Sequence, residues 1–329
     1  MLRRHRRAIG LFAIAATAVL VSSVVAAPLV WFGSRAADRA SAPGSASAMR
    51  SASAGPTSTP APGTVLIGAG DICVASNIAN AQKTAALVSA RPKAVVFTLG
   101  DNSNESGTAD QYAACYGSTW GAFRSRTRPT VGNHDVLTSH GAPYYAYFGS
   151  AAGPSGKGYY SYDLTANWHV IVLNSNCDEI GGCGASSPEE TWLKAALAAN
   201  SGKHILAMWH HPQFSSGGHS RVMSYKAWWD DLYAAHADIV LNGHDHDYER
   251  FAQQSPDGKA DPTGIRQFVA GTGGASHTPI FVVRANSEVY DGRTFGVLKL
   301  TLRLHGYSWQ FIPVDGGTFT DAGETATHS

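Results

Sequence analysis

A chain of 329 residues that is 44% hydrophobic and 15% charged, with 35 Gly and 8 Trp, can fill one large core or two ordinary ones; it is neither wholly disordered nor collagen-like. The formal charge of +1 hides an asymmetry: residues 1–63 hold seven Arg against the single acid Asp38, and residues 64–329 hold 18 Lys and Arg against 23 Asp and Glu. An acidic body has no broad basic field for gripping nucleic acid, so no nucleic-acid partner is expected.

Arg3, Arg4, Arg6 and Arg7 precede an uncharged run from Ala8 to Phe32. A basic start followed by an apolar stretch predicts export, and residues 1–32 read as a signal peptide or a membrane anchor. The run is long enough to span a bilayer, which would attach the chain through residues 8–32. From Gly33 to Gly63, 26 of 31 residues are Ala, Gly, Ser, Pro or Thr, the composition of a flexible linker. Residues 64–315 form the expected folded body, leaving 316–329 as a C-terminal tail.

Five short apolar runs within that body end on polar residues. Thr64–Gly70 leads into Asp71, Ala94–Gly100 into Asp101, and Arg128–Gly132 into Asn133, His134 and Asp135. His204–Trp209 leads into His210 and His211, and Ala237–Gly243 into His244, Asp245 and His246. Short, β-branched runs closed by Gly predict buried strands. Helical spacing over Asn77–Ser89, Glu189–Asn200 and Met223–His236 places helices between them, and Ser187-Pro188 makes a helix start. Alternating strands and helices predict an α/β sheet with its site beyond the carboxyl ends of the strands. Phe295–Arg303 and Tyr307–Val314 alternate like antiparallel strands.

Asp71, Asp101, Asn133, His210, His244 and His246 thus reach one rim and offer oxygen and imidazole donors, a set suited to Zn, Fe or Mn. Two such ions clamp a phosphoryl group and generate hydroxide at neutral pH, with Asp101 able to bridge them. His211 follows a ligand and, on an extended segment, points away from His210. Asp135 has the chemistry to orient His134. His140 and His219 read as exposed loop residues, and Gly271–Ser276 as a tight turn near the site, because it lacks the Lys of a phosphate loop.

Four cysteines in an exported chain favour disulfides. Cys177 and Cys183 enclose a short glycine-bearing loop that can close locally, which leaves Cys73 with Cys115, although sequence alone permits three pairings. Cys73, two residues after Asp71, also has a reading as a metal thiolate.

The ordered set Gly70-Asp71, Gly100-Asp101, Gly132-Asn133-His134-Asp135, His210 and Gly243-His244-Asp245-His246 resembles the calcineurin-like metallophosphoesterases, and Tyr248-Glu249-Arg250 resembles their purple acid phosphatase branch. The resemblance implies a four-layer α/β/β/α sandwich of two mixed sheets and a dinuclear metal centre. It places Asp71, Asp101 and His246 on a first ion, and Asp101, Asn133, His210 and His244 on a second. His134 would face the substrate as the catalytic residue. One departure stands out: the purple branch carries a ferric-binding Tyr three residues after the bridging Asp, where this chain has Asn104. Related phosphoesterases carry a His where this chain has Cys73. A colourless enzyme with a weaker first metal is therefore expected.

The function implied is an extracytoplasmic, metal-dependent phosphoesterase acting on phosphorylated small molecules, with phosphomonoesters as substrates. The alternatives are a phosphodiesterase acting on nucleotides or lipid headgroups, and a non-catalytic surface module whose metal site is incomplete.

Overall fold

The computed structural model describes residues 62–219 and 224–328. The expected signal or anchor at 1–32, all but the end of the linker, and Met223 at the start of the third expected helix lie outside the described residues.

Two sheets form the centre of the body. The first comprises β1 (Thr64–Ala69), β2 (Val95–Thr98), β3 (Thr127–Arg128), β11 (Gly296–Arg303), β12 (Gly306–Pro313) and β13 (Asp321–Ala326). Its order is β13-β12-β11-β1-β2-β3, parallel from β1 to β3 and antiparallel from β1 to β13. The second comprises β4 (Tyr160–Asp163), β5 (Trp168–Val172), β6 (His204–Met208), β7 (Ile239–Asn242), β8 (Tyr248–Phe251), β9 (Arg266–Ala270) and β10 (Ser287–Asp291). Its order is β10-β8-β9-β7-β6-β5-β4, with β5, β6, β7 and β9 parallel.

Alternating side chains on these strands enter different cores, which is what layers the molecule. Leu66, Phe97, Leu206, Leu241 and Leu298 meet between the sheets. Ile67 and Val96 face outward onto Val88 of helix Ala79–Ser89 and onto Trp120 and Phe148. On the opposite outer face, Ile205, Val240 and Trp209 pack with Leu193 of helix Pro188–Ala199 and Trp228 of helix Lys226–Ala234. The result is helix, sheet, sheet, helix, as the motif resemblance implies.

Local signals set several boundaries. Ser187 caps its helix by accepting from the Glu190 amide at 3.2 Å, with Pro188 at the first helical position. The run expected from Arg128 to Gly132 is a strand only at Thr127–Arg128, because Pro129 lacks an amide for the ladder. Segment 316–329, set apart as a tail by its sequence, supplies β13, which pairs with β12 from Phe311↔Asp321 to Gly306↔Ala326. Both disulfides have the local pairing, Cys73–Cys115 and Cys177–Cys183, so Cys73 offers no thiolate. Among the described residues, no helix is long and apolar enough to cross a membrane.

Candidate metal centre

The two sheets bring their strand ends together, and the six donors converge where they meet. The loops after β1 and β2 are stitched to each other: the Asp71 amide donates to Gly100 O at 3.0 Å, and the Ile72 amide to Asp101 O at 3.0 Å. Repeating Gly-Asp after each strand makes this pairing possible. Gly132 is required by close approach, since a Cβ there would lie 2.1 Å from Asp101 Oδ1. Asp71, Asp101 and His244 all adopt left-handed backbone, with φ of 55°, 47° and 71°. Non-glycine residues held in that region cost about 1–3 kcal/mol each and concentrate at functional sites.

The ligand atoms of Asp71, Asp101 and His210 lie within 4.8 Å of one another, as do those of His210, His211 and His244. His210 Nε2 is 3.4 Å from Asp101 Oδ2 and 3.0 Å from Asn133 Oδ1, while its Nδ1 donates to Leu99 O at 2.7 Å. That last bond fixes the ring so that Nε2 faces the other donors. His246 Nε2 lies 3.3 Å from Asp71 Oδ1, and Ser276 Oγ is 2.6 Å from its Nδ1. The His210 and His244 ring centres are 5.1 Å apart. All six expected donors therefore belong to one connected cluster.

Its electrostatics match a cation. Burial alone would raise the Asp101 carboxyl, but the facing His210 and His134 hold it below the usual carboxylate range. Burial works to lower His210, yet Asp101 and Asp71 bring it up to about 9 in the metal-free chain. Burial and the neighbouring His210 hold His211 at about 3, and burial with His210 and His211 also pushes His244 far down. Both imidazoles are thus neutral, the form that binds metal, whereas His210 would release its proton on taking up an ion. Two buried carboxylates, an amide oxygen and several imidazoles, with all four cysteines in disulfides, suit a borderline or hard ion such as Zn, Mn or Fe.

Two neighbouring residues, His211 and Asp135, differ from their sequence expectation. His211 does not point away: the strand ends at Met208, so alternation no longer applies, and its ring centre lies 4.3 Å from that of His244. Its Nδ1 meets Ser175 Oγ at 2.8 Å. Asp135 does not orient His134. Its buried carboxylate instead accepts from the Gly132 amide at 2.9 Å and the Tyr112 hydroxyl at 2.5 Å. Burial, with Asp101 nearby, pushes the Asp135 carboxyl up to about 6. His219 is an exposed loop residue, as expected, and it lies beside the centre: its ring centre is 5.0 Å from those of both His244 and His246, and its Nδ1 donates to His244 O at 2.6 Å. Its nine-residue distance from His210 was the available signal, but that span is rich in Ser and Gly and carries no periodicity.

His134 stands at the rim. Its Nδ1 donates to Glu105 O at 2.7 Å, leaving Nε2 3.9 Å from Asp101 Oδ2 with the side chain 35% exposed. His140 is exposed and pairs with Glu179 at 2.7 Å. The turn Gly271–Ser276 packs against the Asp71 loop, with the Ala275 amide donating to Asp71 O at 2.9 Å.

Known proteins are similar to this chain in sequence and in fold. Purple acid phosphatase 18 of Arabidopsis thaliana is 31% identical over 129 residues, 37% of this chain and 28% of that protein. Probable purple acid phosphatase 20 of the same plant is 29% identical over 189 residues, 50% of this chain and 43% of that protein. The chain thus spans less than half the length of these curated relatives. Among solved structures, purple acid phosphatase PPD1 from yellow lupin (Lupinus luteus) seeds shares the fold with a TM-score of 0.62 and 17% identity, covering 80% of this chain and 53% of that one. The family model for calcineurin-like phosphoesterase matches residues 66–248, more than half of the sequence, and the chain belongs to that family.

Proposed function

We propose that this chain is an extracytoplasmic metal-dependent phosphoesterase that hydrolyses phosphomonoesters of small molecules at a dinuclear centre. The observation that carries this reading is the convergence of Asp71, Asp101, Asn133, His210, His244 and His246 from both sheets onto one cluster, buried except for the half-buried Asn133 and His244. Asp71, Asp101 and His246 would hold one ion, and Asp101, Asn133, His210 and His244 the other, with Fe, Zn or Mn as the candidates. Ions held there would supply a hydroxide nucleophile at neutral pH and offset charge on the phosphoryl oxygens.

The chain's own residues do the rest. The Leu99 carbonyl fixes the His210 ring, and Ser276 fixes that of His246. Glu105 O anchors His134 through Nδ1 and turns Nε2 toward the rim, where the imidazolium form would protonate the leaving oxygen or stabilise phosphoryl charge. His219 presents a second imidazole to the same opening, between His244 and His246. Asn104 Nδ2 lies 3.4 Å from Asp71 Oδ1, Asp101 Oδ2 and His246 Nε2. A half-turn of that amide exchanges its nitrogen for its oxygen, so Asn104 offers a neutral donor in place of a phenolate. Two disulfides support a place outside the cytoplasm.

Hydrolysis of a mono-aryl and a bis-aryl phosphate, compared after chelation and single-metal add-back, tests the proposal. Metal-dependent turnover of the monoester supports it. Turnover of the diester alone turns the reading to a phosphodiesterase, and bound metal without turnover of either turns it to a binding module.

A further inference from the structure

The three loops that bring oxygen donors to the centre all come from the six-stranded sheet, and one short turn behind them is tied to each. Residues Tyr112–Tyr116 form a widened helical turn, closed by the Gly117 amide donating to Tyr112 O, five residues back, at 2.7 Å. Such wide turns are rare and recur at functional sites. Cys115 in this turn is bonded to Cys73, two residues beyond Asp71. Tyr112 Oη donates to Asp135 Oδ1 at 2.5 Å. Asp135 also accepts from the Asn102 and Ser103 amides, each at 3.2 Å, from Asn102 Nδ2 at 2.9 Å and from the Gly132 amide at 2.9 Å. Asn102 and Ser103 directly follow Asp101, and Gly132 directly precedes Asn133.

The turn is itself immobilised. Tyr112, Cys115 and Tyr116 are buried, and the Tyr112 ring centre lies 5.2 Å from that of Tyr147. Tyr116 meets Phe148 edge-on at 5.2 Å. A covalent link on one side and a buried carboxylate on the other thus join Asp71, Asp101 and Asn133 to one rigid piece. The imidazole donors His210 and His244 come instead from the seven-stranded sheet.

We propose that the turn Tyr112–Tyr116 is a brace that sets the spacing of Asp71, Asp101 and Asn133, with Tyr112 and Cys115 as positioning residues for the metal centre. The proposal rests on the metal reading above. A brace of this kind acts on ion affinity through residues that touch no ion, and partners at one remove from a metal typically change its affinity by roughly 10–100-fold.

Calorimetric titration of the metal-stripped full chain with Mn(II) tests it, using wild type, Tyr112→Phe and the paired Cys73→Ala/Cys115→Ala variant. The melting temperature of each metal-free protein is measured alongside. Tyr112→Phe keeps the packed ring and removes only the hydroxyl, so it is expected to melt close to wild type while weakening Mn(II) binding by about tenfold or more. The cysteine variant is expected to weaken binding at least as much. Mn(II) affinities within about twofold of wild type in both variants would overturn the brace, whatever happens to their melting. If the cysteine variant does not fold, the Mn(II) affinity of Tyr112→Phe alone decides the matter. If wild type takes up no Mn(II), the same titrations use Zn(II) and Fe(II), and a wild-type chain that takes up none of the three overturns the metal reading itself, an outcome distinct from unchanged affinities in the variants.

Discussion

His210 Nε2 lies 3.4 Å from Asp101 Oδ2, and both residues are buried. One follows β6 of the seven-stranded sheet and the other follows β2 of the six-stranded sheet, so this contact joins the two halves of the site. Buried charges persist only where each has a partner, and removing one member strands the other. Asp101→Asn removes the carboxylate that would serve both ions and leaves His210 facing a neutral amide. Metal content measured by elemental analysis is expected to fall below half of wild type. Phosphate release is expected to drop by more than about 100-fold, since a ligand matters more than the partners around it.

Asn104 should decide the colour of the iron-loaded chain. Its amide lies 3.4 Å from Asp71, Asp101 and His246, and Asn104 stands at the sequence position where the resemblance to the purple branch implies a Tyr. Iron-loaded wild type is expected to show no phenolate-to-iron band in the visible spectrum. Asn104→Tyr is expected to acquire one and to hold ferric iron more tightly, because the substitution adds an anionic donor. A purple wild type would contradict this assignment.

Gly132→Ala tests the close approach that packs the Asn133 loop onto Asp101. The added Cβ would sit 2.1 Å from Asp101 Oδ1 and 2.2 Å from its amide nitrogen, so the loop must move. Overpacking of this kind costs about 1–3 kcal/mol. A lowered melting temperature together with metal affinity reduced by about tenfold is the expected result, read by thermal melts and metal titration. An unchanged affinity would show that the loop spacing is not critical.

The C-terminal segment is expected to contribute stability rather than chemistry. Asp321 accepts from Tyr248 Oη at 2.7 Å, Arg250 Nε at 2.7 Å and Trp309 Nε1 at 3.0 Å, which ties β13 to the second sheet. Burial would raise its carboxyl, but Arg250 and Tyr248 hold it below the usual carboxylate value. A depressed folded-state value means that this contribution is complete above the ordinary Asp range and is lost as pH falls through the folded value. Asp321→Asn is expected to cost about 1–3 kcal/mol at neutral pH, from buried donors left poorly paired, and to flatten the acid limb of the stability profile. Urea titrations from pH 3 to 7 read both effects, with the pH range set by the ordinary Asp value of about 3.9. A parallel loss at every pH would show that the carboxylate charge is not what matters.

The strands that deliver donors were legible because parallel strands buried on both faces read as unbroken apolar runs, as in Thr64–Ala69 and Ile239–Asn242. The strands β8, β9 and β13 were not. Tyr248-Glu-Arg-Phe is fully buried yet half polar, because Glu249 is met by Ser216 and Ser287, and Arg250 by Asp321 and Glu288. Such partners lie far away in sequence, and no local pattern announces them. The same limit explains the site. Asp71, Asp101 and His244 follow Gly at strand ends and could be read locally, whereas Asp135 takes its role from Tyr112, and His219 from a loop that folds back onto His244. His211 escapes a local reading because the extended alternation that would turn it away stops at Met208.

If two ions held by these six residues perform phosphoester hydrolysis, metal content and activity must rise and fall together. The most direct measurement counts ions per chain and the rate of aryl phosphate hydrolysis on one purified sample, for wild type and for His244→Ala. About two ions per wild-type chain are expected, with loss of turnover on chelation and recovery on adding back one of Mn, Zn or Fe. His244→Ala is expected to lose one ion together with most of the activity. Full turnover by a metal-free chain, or by His244→Ala with its metal content unchanged, would contradict the two-ion centre.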